Sequence, residues 1–363
     1  MKILTKEGRA RTGIFTTKQG RSIHTPFFMP VATKGTIKSL STLHLKKIGT
    51  DSIICNGYLL SLKPGDKYLA RHKGIHNFIN FDNVIFTDSG GFQMISDHML
   101  VKKTEEGVIL NDPYSRKTKL ITPKDCIKFQ NNINSDVAMM LDDHVAYDIS
   151  KRKHSDAVEQ NYEWGKQAIK HHSSNSQMLF GIIQGGTFEE LRKKSSELMV
   201  SLNFDGYAIG GLVIGEPPEK TYPMIDICTS LLPEDKIRYA MGIGNPPQIL
   251  ECISLGCDCF DSTFPTQHAR HGTAFTFNGK INLDDKIFIH DTSCLEEGCH
   301  CLTCKNYTRA YLHHLVKMKE YVICELLTMH NLTFMQRLML KCREEISKNN
   351  FNKFKEEFNK RWK

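Results

Sequence analysis

The stretch GCDCFDSTFPTQHARHG, residues 256–272, decides how the rest of this chain reads. It opens on an apolar run, Cys257 to Phe260, with the character of a buried strand, and the run stops at a carboxylate, Asp261. A basic loop holding His268, Arg270 and His271 is expected to follow. A lone Asp in such a place commonly does no more than cap the next turn. A carboxylate at a strand end, facing basic residues, is also a way to bring an anionic polymer to a nucleophile. The other strand ends decide between the two readings.

Working outward, seven earlier runs share the pattern: FFMPVA (27–32), DSIICN (51–56), NVIFTDSGGFQ (83–93), SDVAMMLDD (135–143), MLFGIIQGG (178–186), DGYAIGGL (205–212) and KIRYAMGIG (236–244). Stretches of helical length and pattern lie between most of them, among them Thr42–Ile48, Ser155–His171 and Phe188–Val200. Eight short apolar runs alternating with helices predict an α/β fold, a closed (β/α)₈ TIM barrel. An open doubly wound sheet would normally show a Gly-rich phosphate turn after its first strand, and none is present. Residues just past the strand C-termini share one face of a barrel, so Asp88, Asp142, Gln184, Gly211 and Asp261 should converge there. Five polar or glycine strand ends on one face read as a site. Residues 1–26 read as polar and turn-rich.

The chain of 363 residues suits one decorated barrel, and its net charge of +8 permits nucleic acid without requiring it. No run approaches the ~20 apolar residues of a membrane span, and MKILTKEGRARTG lacks the apolar core of a signal peptide, so a cytoplasmic protein is expected. In a reducing compartment, a tight group among the 12 cysteines points to metal before disulfides. Two segments decorate the barrel. Residues 99–122 read as a hairpin around an Asp112–Pro113 turn, made basic by Lys102, Lys103, Arg116, Lys117 and Lys119; it is either a solvated face or a nucleic-acid contact. CHCLTC, residues 299–304, is followed by a stretch with an apolar face (Tyr307, Tyr311, Leu315, Met318, Val322, Leu326, Met329) that reads as one helix, and then by His330. Cys299, Cys301, Cys304 and His330 can close a structural Cys₃His zinc site, with Cys294, His300, His313 or His314 as substitute ligands. The expected organisation is a barrel over 1–290 and a zinc-binding helical part over 291–363.

TDSGGFQ, GIIQGG, YAIGGL, RYAMGIG, GCDCFDSTFPT and the cysteine cluster together resemble the queuine tRNA-ribosyltransferases, also called tRNA-guanine transglycosylases. The resemblance runs from about Thr12 to Phe351 with the motifs in the same order. It implies a zinc-containing (β/α)₈ barrel that exchanges a guanine in tRNA for a 7-deazaguanine base. Carried over by position, Asp261 would be the nucleophile and Asp88 the acid/base group. Asp142, Gln184 and the Gly210–Gly211–Leu212 backbone would bind the base edge, Phe92 and Met241 would sandwich its ring, and Ser89 would line the pocket. Thr266, Gln267 and Arg270 would face the tRNA anticodon loop. The chain departs from the family at His144, where bacterial members usually have Cys, and at Gln267, where an anticodon-reading Arg is usual. It departs again at Ile214, where Val or Gly is usual. A bulky Ile favours the small aminomethyl-deazaguanine precursor over queuine. The chain ends soon after the zinc helices, without the further RNA-binding domain of archaeosine enzymes, which points to the wobble guanine of the anticodon. A homodimer is expected by analogy. The rival readings are a non-catalytic family subunit, opposed by Asp88, Asp142 and Asp261 together with CHCLTC, and a zinc hydrolase acting on a free nucleoside, which would need metal ligands at the strand ends.

Overall fold

The structure, a computed structural model, describes residues 1–90 and 99–362. The eight apolar runs form eight parallel strands: β1 (Phe27–Pro30), β2 (Ser52–Asn56), β3 (Val84–Asp88), β4 (Val137–Met139), β5 (Met178–Ile183), β6 (Gly206–Ile209), β7 (Ile237–Ala240) and β8 (Cys259–Ser262). Each lies beside its sequence neighbour, and β8 also pairs with β1. Closure between β1 and β2 comes from a parallel bridge, Val31 to Ile54, where the Ala32 N–H donates to the Ile54 carbonyl at 2.7 Å. This is the (β/α)₈ barrel that the alternation predicts. Every residue of β1, β2, β4, β6 and β7 is buried, because packed side chains fill the inside and helices cover the outside.

Four odd-numbered strands send aromatic rings into the barrel. Phe86 of β3 meets Phe27 of β1, Phe180 of β5 and Tyr239 of β7 at centroid distances of 6.3, 5.6 and 6.0 Å. Phe15 closes the layer from below, 6.4 Å from Phe86 and 6.1 Å from Phe180. It belongs to a three-stranded antiparallel sheet (Lys2–Glu7, Ala10–Thr16, Ser22–Thr25), so the turn-rich reading of residues 1–26 is corrected. The first strand of that sheet never buries a face fully, so KILTKE carries little apolar contrast to read.

Other boundaries differ in instructive ways. β8 runs past Phe260, so Asp261 lies within the strand, and the expected basic loop is a short helix, Phe264–Arg270. The segment after β3 holds three antiparallel strands where two were expected: Leu100–Lys103, Val108–Asn111 and Thr118–Ile121. The anticipated Asp112 turn joins the last two, and the Asp112 carboxylate accepts from the backbone N–H groups of Tyr114 and Ser115 at 2.7 and 3.2 Å. The stretch between the cysteines and His330 is broken into a helix Arg309–Lys317 and a long helix Val322–Ser347. Met318 and Val322, placed on a buried face by periodicity, are exposed at that break, and so is Tyr311. Among the described residues, no helix is long and apolar enough to cross a membrane.

Candidate active site

The mouth of the barrel, at the C-terminal ends of its strands, gathers three carboxylates. Asp261 on β8 is half-buried, and its Oδ1 accepts two hydrogen bonds: from the Tyr239 hydroxyl of β7 at 2.6 Å and from the Gly242 N–H at 2.8 Å. Burial pushes its carboxyl up while the Gly242 and Tyr239 donors pull it down. Tyr239 is itself driven well above the usual phenol range by burial and then by the Asp261 charge, so it keeps its proton and remains a donor. Both donors sit on Oδ1; among the described residues Oδ2 has no hydrogen-bond partner.

Asp88, the last residue of β3, has the opposite setting. Its Oδ1 is buried with no hydrogen-bond partner among the described residues. Burial, and next the Asp261 charge, push its carboxyl up to about 8 against the pull of the Gly90 N–H. Near neutral pH, Asp88 therefore holds a proton beside an Asp261 whose charge is favoured by two donors. Asp142, past the end of β4, is raised to about 6 by burial, offset by the Gln184 side chain, whose Nε2 donates to Oδ2 at 2.7 Å. The net shift of Asp261 is also upward, yet it has two donors where Asp88 has the Gly90 N–H, and unlike surroundings of this kind are the usual basis of divided acid and nucleophile roles.

Gln184 directly follows β5, and the Gly210–Gly211 pair directly follows β6. Gly211 has φ +65°, and a Cβ on it would fall 2.1 Å from Gln184 Oε1, so only glycine admits the amide there. Leu212 and Ser89 are buried, and Met241 is half-buried with its N–H on the Ile209 carbonyl at 3.2 Å. Phe92 lies outside the described residues. The strand-end positions thus come together on one face.

Several residues at this mouth escaped the sequence reading. Arg192, from the helix Glu189–Ser201, is fully buried and donates to the carbonyls of Gly186 (2.7 Å), Ile183 (3.1 Å), Gly210 (2.8 Å) and Gly211 (3.2 Å). It ties the ends of β5 and β6 from behind. The available sign was a charged side chain sharing a helix face with Ser195, Ser196 and Met199. Lys103, counted as part of a basic surface, instead donates inward to Asp143 Oδ1 and to the His144 carbonyl. Asn161 holds the same loop, accepting from the Asp143 N–H at 2.6 Å and donating to its carbonyl at 3.1 Å. Glu216 accepts from the N–H groups of Val213 and Ile214, fixing the loop that carries the half-buried Ile214. His144 is buried, and burial, with Lys103 and Arg192 adding, lowers it to about 4, so its ring is neutral.

The helix after β8 sorts its side chains. Gln267 is exposed, whereas Thr266 is buried with its hydroxyl on the Thr263 carbonyl at 3.0 Å. Arg270 is half-buried and folds back onto the Thr266 carbonyl at 3.0 Å. His268 packs on Phe264, its Nδ1 3.0 Å from that residue's carbonyl, and burial lowers its pKa. This face of the helix is less basic than its sequence.

Cys299, Cys301, Cys304 and His330 are all buried, and their ligand atoms lie within 4.8 Å of one another. His330 Nδ1 is 3.9, 3.6 and 3.3 Å from the three sulfurs. Tetrahedral bonds of ~2.0–2.3 Å place ligand atoms roughly 3.5–3.8 Å apart, so the residues present fit such an ion. His330 Nε2 lies 2.8 Å from the Phe275 carbonyl, which fixes the tautomer that leaves Nδ1 for a metal. His330 sits inside the long helix, not after it, and His313, one of the substitute ligands, turns its Nδ1 to the Leu283 carbonyl at 2.7 Å.

With that geometry in place, the comparisons with known proteins agree with one another. The sequence model of the queuine tRNA-ribosyltransferase family matches residues 6–363. The queuine tRNA-ribosyltransferase of Caldanaerobacter subterraneus subsp. tengcongensis is 43% identical over 363 residues, covering 99% of this chain and 96% of the relative. That of Thermoanaerobacter pseudethanolicus is 42% identical over 364 residues, with 99% and 97% covered. That of Francisella tularensis subsp. mediasiatica is 40% identical over 356 residues, with 98% and 97% covered. The chain belongs to the queuine tRNA-ribosyltransferase family.

Proposed function

We propose that this member of the family replaces the wobble guanine of a tRNA anticodon with a 7-deazaguanine base through a covalent bond between Asp261 and the ribose. The observation that carries the reading is the contrast between Asp261, which takes two donors on Oδ1, and Asp88, buried and, among the described residues, without a hydrogen-bond partner on Oδ1. Asp261 Oδ2 attacks the ribose C1′ as the bond to guanine N9 breaks, and the electron pair leaves with the base. Asp88 gives its proton to the departing base. The incoming base returns a proton to Asp88 and attacks C1′ from the face opposite Asp261, which leaves as a carboxylate. Two displacements retain the starting configuration, with no change in oxidation state.

Asp142, the Gln184 amide and the Gly210–Gly211–Leu212 backbone read the edge of the base, and Ser89 and Met241 border its ring, with Phe92 as the proposed opposite face. A purine edge needs donors and acceptors together, which this set supplies. The target nucleotide must leave its stack to enter. Ile214, held by the Glu216 clamp, narrows the wall against a large substituent, so the aminomethyl precursor is preferred to queuine. Gln267 and Arg270 are the proposed anticodon contacts, and a homodimer is the proposed assembly. The Cys₃His group is proposed to hold one structural zinc ion, which contributes folding energy and leaves no ligand position open for catalysis. Elemental analysis of the purified protein should find one zinc per chain; a metal-free protein of unchanged thermal stability refutes that assignment.

The test of function is direct. The protein is incubated with tRNA carrying labelled guanine at the wobble position, with each candidate base offered in turn. Release of label with formation of a denaturation-stable protein–RNA adduct is expected. Absence of release with every base overturns the reading.

A further inference from the structure

Beside the active site, on the β2–β3 side of the mouth, lies a cavity of about 280 Å³ between the helix Gly57–Leu60 and the inserted sheet. Tyr58 and Leu62 line one wall, and Asp112, Lys117, Thr118 and Lys119 the other. Gly57 abuts the catalytic strand: a Cβ on it would fall 2.8 Å from the Asp88 carbonyl oxygen. Tyr58 is 1% exposed, and its hydroxyl has no hydrogen-bond partner among the described residues. A buried hydroxyl left unmade costs free energy unless something occupies the space it lines. The charged groups of the lining are two lysines and one carboxylate. Lys63 Nζ, from the helical turn Ser61–Gly65, lies 4.3 Å and Lys34 Nζ, from the segment after β1, 5.7 Å from the centroid of the Tyr114 ring, so two further lysines converge on the turn that carries Asp112.

Among the described residues, none of Lys34, Lys63, Lys117 and Lys119 has a carboxylate within ion-pair distance, unlike Lys103 of the same sheet, which pairs with Asp143. The Asp112 carboxylate is the one acidic group in the lining, and its charge is felt by Lys63 and by Tyr58. Its oxygens are taken up by the Tyr114 and Ser115 N–H groups and the Ser115 hydroxyl (2.7 Å) of its own turn. One carboxylate against four lysines leaves an excess of positive charge beside a neutral hydroxyl donor, and a phosphate oxygen accepts from both kinds of group.

We propose that this cavity is a subsite for a backbone phosphate of the RNA, flanking the nucleotide that enters the barrel. The proposal rests on the reading of tRNA as substrate and adds to it a second point of attachment, separate from the helix after β8.

The experiment compares the full-length wild-type protein with the double variant Lys117→Gln/Lys119→Gln, whose changes lie on the exposed sheet. Direct tRNA binding is measured across a salt series, and exchange kinetics are measured in parallel. The slope of log affinity against log salt should fall by about two, one for each lysine. The KM for tRNA should rise about tenfold at ~0.1 M salt, as expected for two lost phosphate contacts, with kcat and the KM for the base unchanged. Tyr58→Phe should raise the KM for tRNA about 2–10-fold, the effect of one lost hydrogen bond. An unchanged salt slope and an unchanged KM for tRNA in the double variant overturn the subsite. Failure of the wild type to exchange bases overturns the functional reading instead, and the binding series still decides the phosphate contact.

Discussion

Asp258 and Asp261 lie three residues apart at the two ends of one strand run, and their surroundings differ completely. At the floor, Asp258 is fully buried and accepts from Arg11 Nε and Nη2 at 2.8 and 2.6 Å and from the Arg238 N–H at 2.8 Å. Asp136, just before β4, has a similar enclosure: Thr17, Arg21 and the Ile85 N–H donate to it at 3.0, 3.0 and 2.9 Å, and His76 Nε2 lies 3.0 Å away. Burial pushes Asp136 up, but His76 and the other donors outweigh it, and the net shift is downward. At the mouth, Asp261 has two neutral donors and, among the described residues, Asp88 has an oxygen with none. A barrel needs its bottom closed and its top reactive. The same side chain serves both ends, and an arginine is what changes its role.

That contrast can be broken experimentally, beginning at the mouth. Asp261→Asn should lower base exchange by roughly 10⁴-fold or more, beyond the ~10²–10⁴ of a lost acid/base group, and abolish the covalent adduct. Its urea midpoint should stay near wild type. Substantial exchange by this variant would move the nucleophile to another carboxylate, Asp88 first.

Asp258→Ala should do the reverse. Removing one partner of a buried ion pair costs about 3–5 kcal/mol, because Arg11 is left unpaired. Urea unfolding should show that loss, while the folded fraction keeps its kcat. A variant that loses turnover without losing stability would erase the distinction between the ends.

A pH series sharpens the comparison further. Folded Asp88 keeps its proton up to about pH 8, whereas an unfolded aspartate releases it near 3.8. Between those values the folded state binds the extra proton, so this group's contribution is complete below about pH 4 and is lost as pH rises through about 8. Asp88→Asn should therefore flatten the decline in thermal midpoint between pH 5 and 8. An identical slope in wild type and variant would mean that Asp88 is ionised at the mouth.

The smallest effect belongs to Arg21→Met at the floor. Asp136 would retain Thr17, His76 and the Ile85 N–H, so a loss of only ~1–3 kcal/mol is expected, with exchange kinetics untouched. Chemical denaturation and steady-state assays on the same preparation would measure both.

The barrel was legible because strands buried on both faces are written as unbroken apolar runs, and five of the eight runs stop at or near a polar residue or glycine of the candidate site. Asp88, Gln184 and Gly211 could be found for that reason. What stayed hidden acts across the fold. Arg192 reaches carbonyls up to 19 positions away, Lys103 reaches a loop 40 residues on, and Tyr239 reaches Asp261 from the neighbouring strand. Nothing local in the chain specifies those partners. The N-terminal sheet was missed for a different reason: its first strand has one exposed and one half-buried face, and its pairing with Ala10–Thr16 supplies the order its own residues do not express. The single helix expected before His330 failed because Met318 and Val322 keep an apolar rhythm across a turn that faces solvent.

Asn331, the neighbour of His330, donates to the carbonyls of Pro265 (3.0 Å) and Thr273 (2.9 Å) and accepts from the Phe275 N–H at 2.9 Å. The long helix therefore works as a beam with two adjacent anchorages, one in the Cys₃His cluster and one under the helix that follows β8. A load applied at the first is carried to the second within a single residue. Loosening the cysteine end would reach the helix that carries Gln267 and Arg270, the proposed RNA contacts, through the Asn331 anchorage.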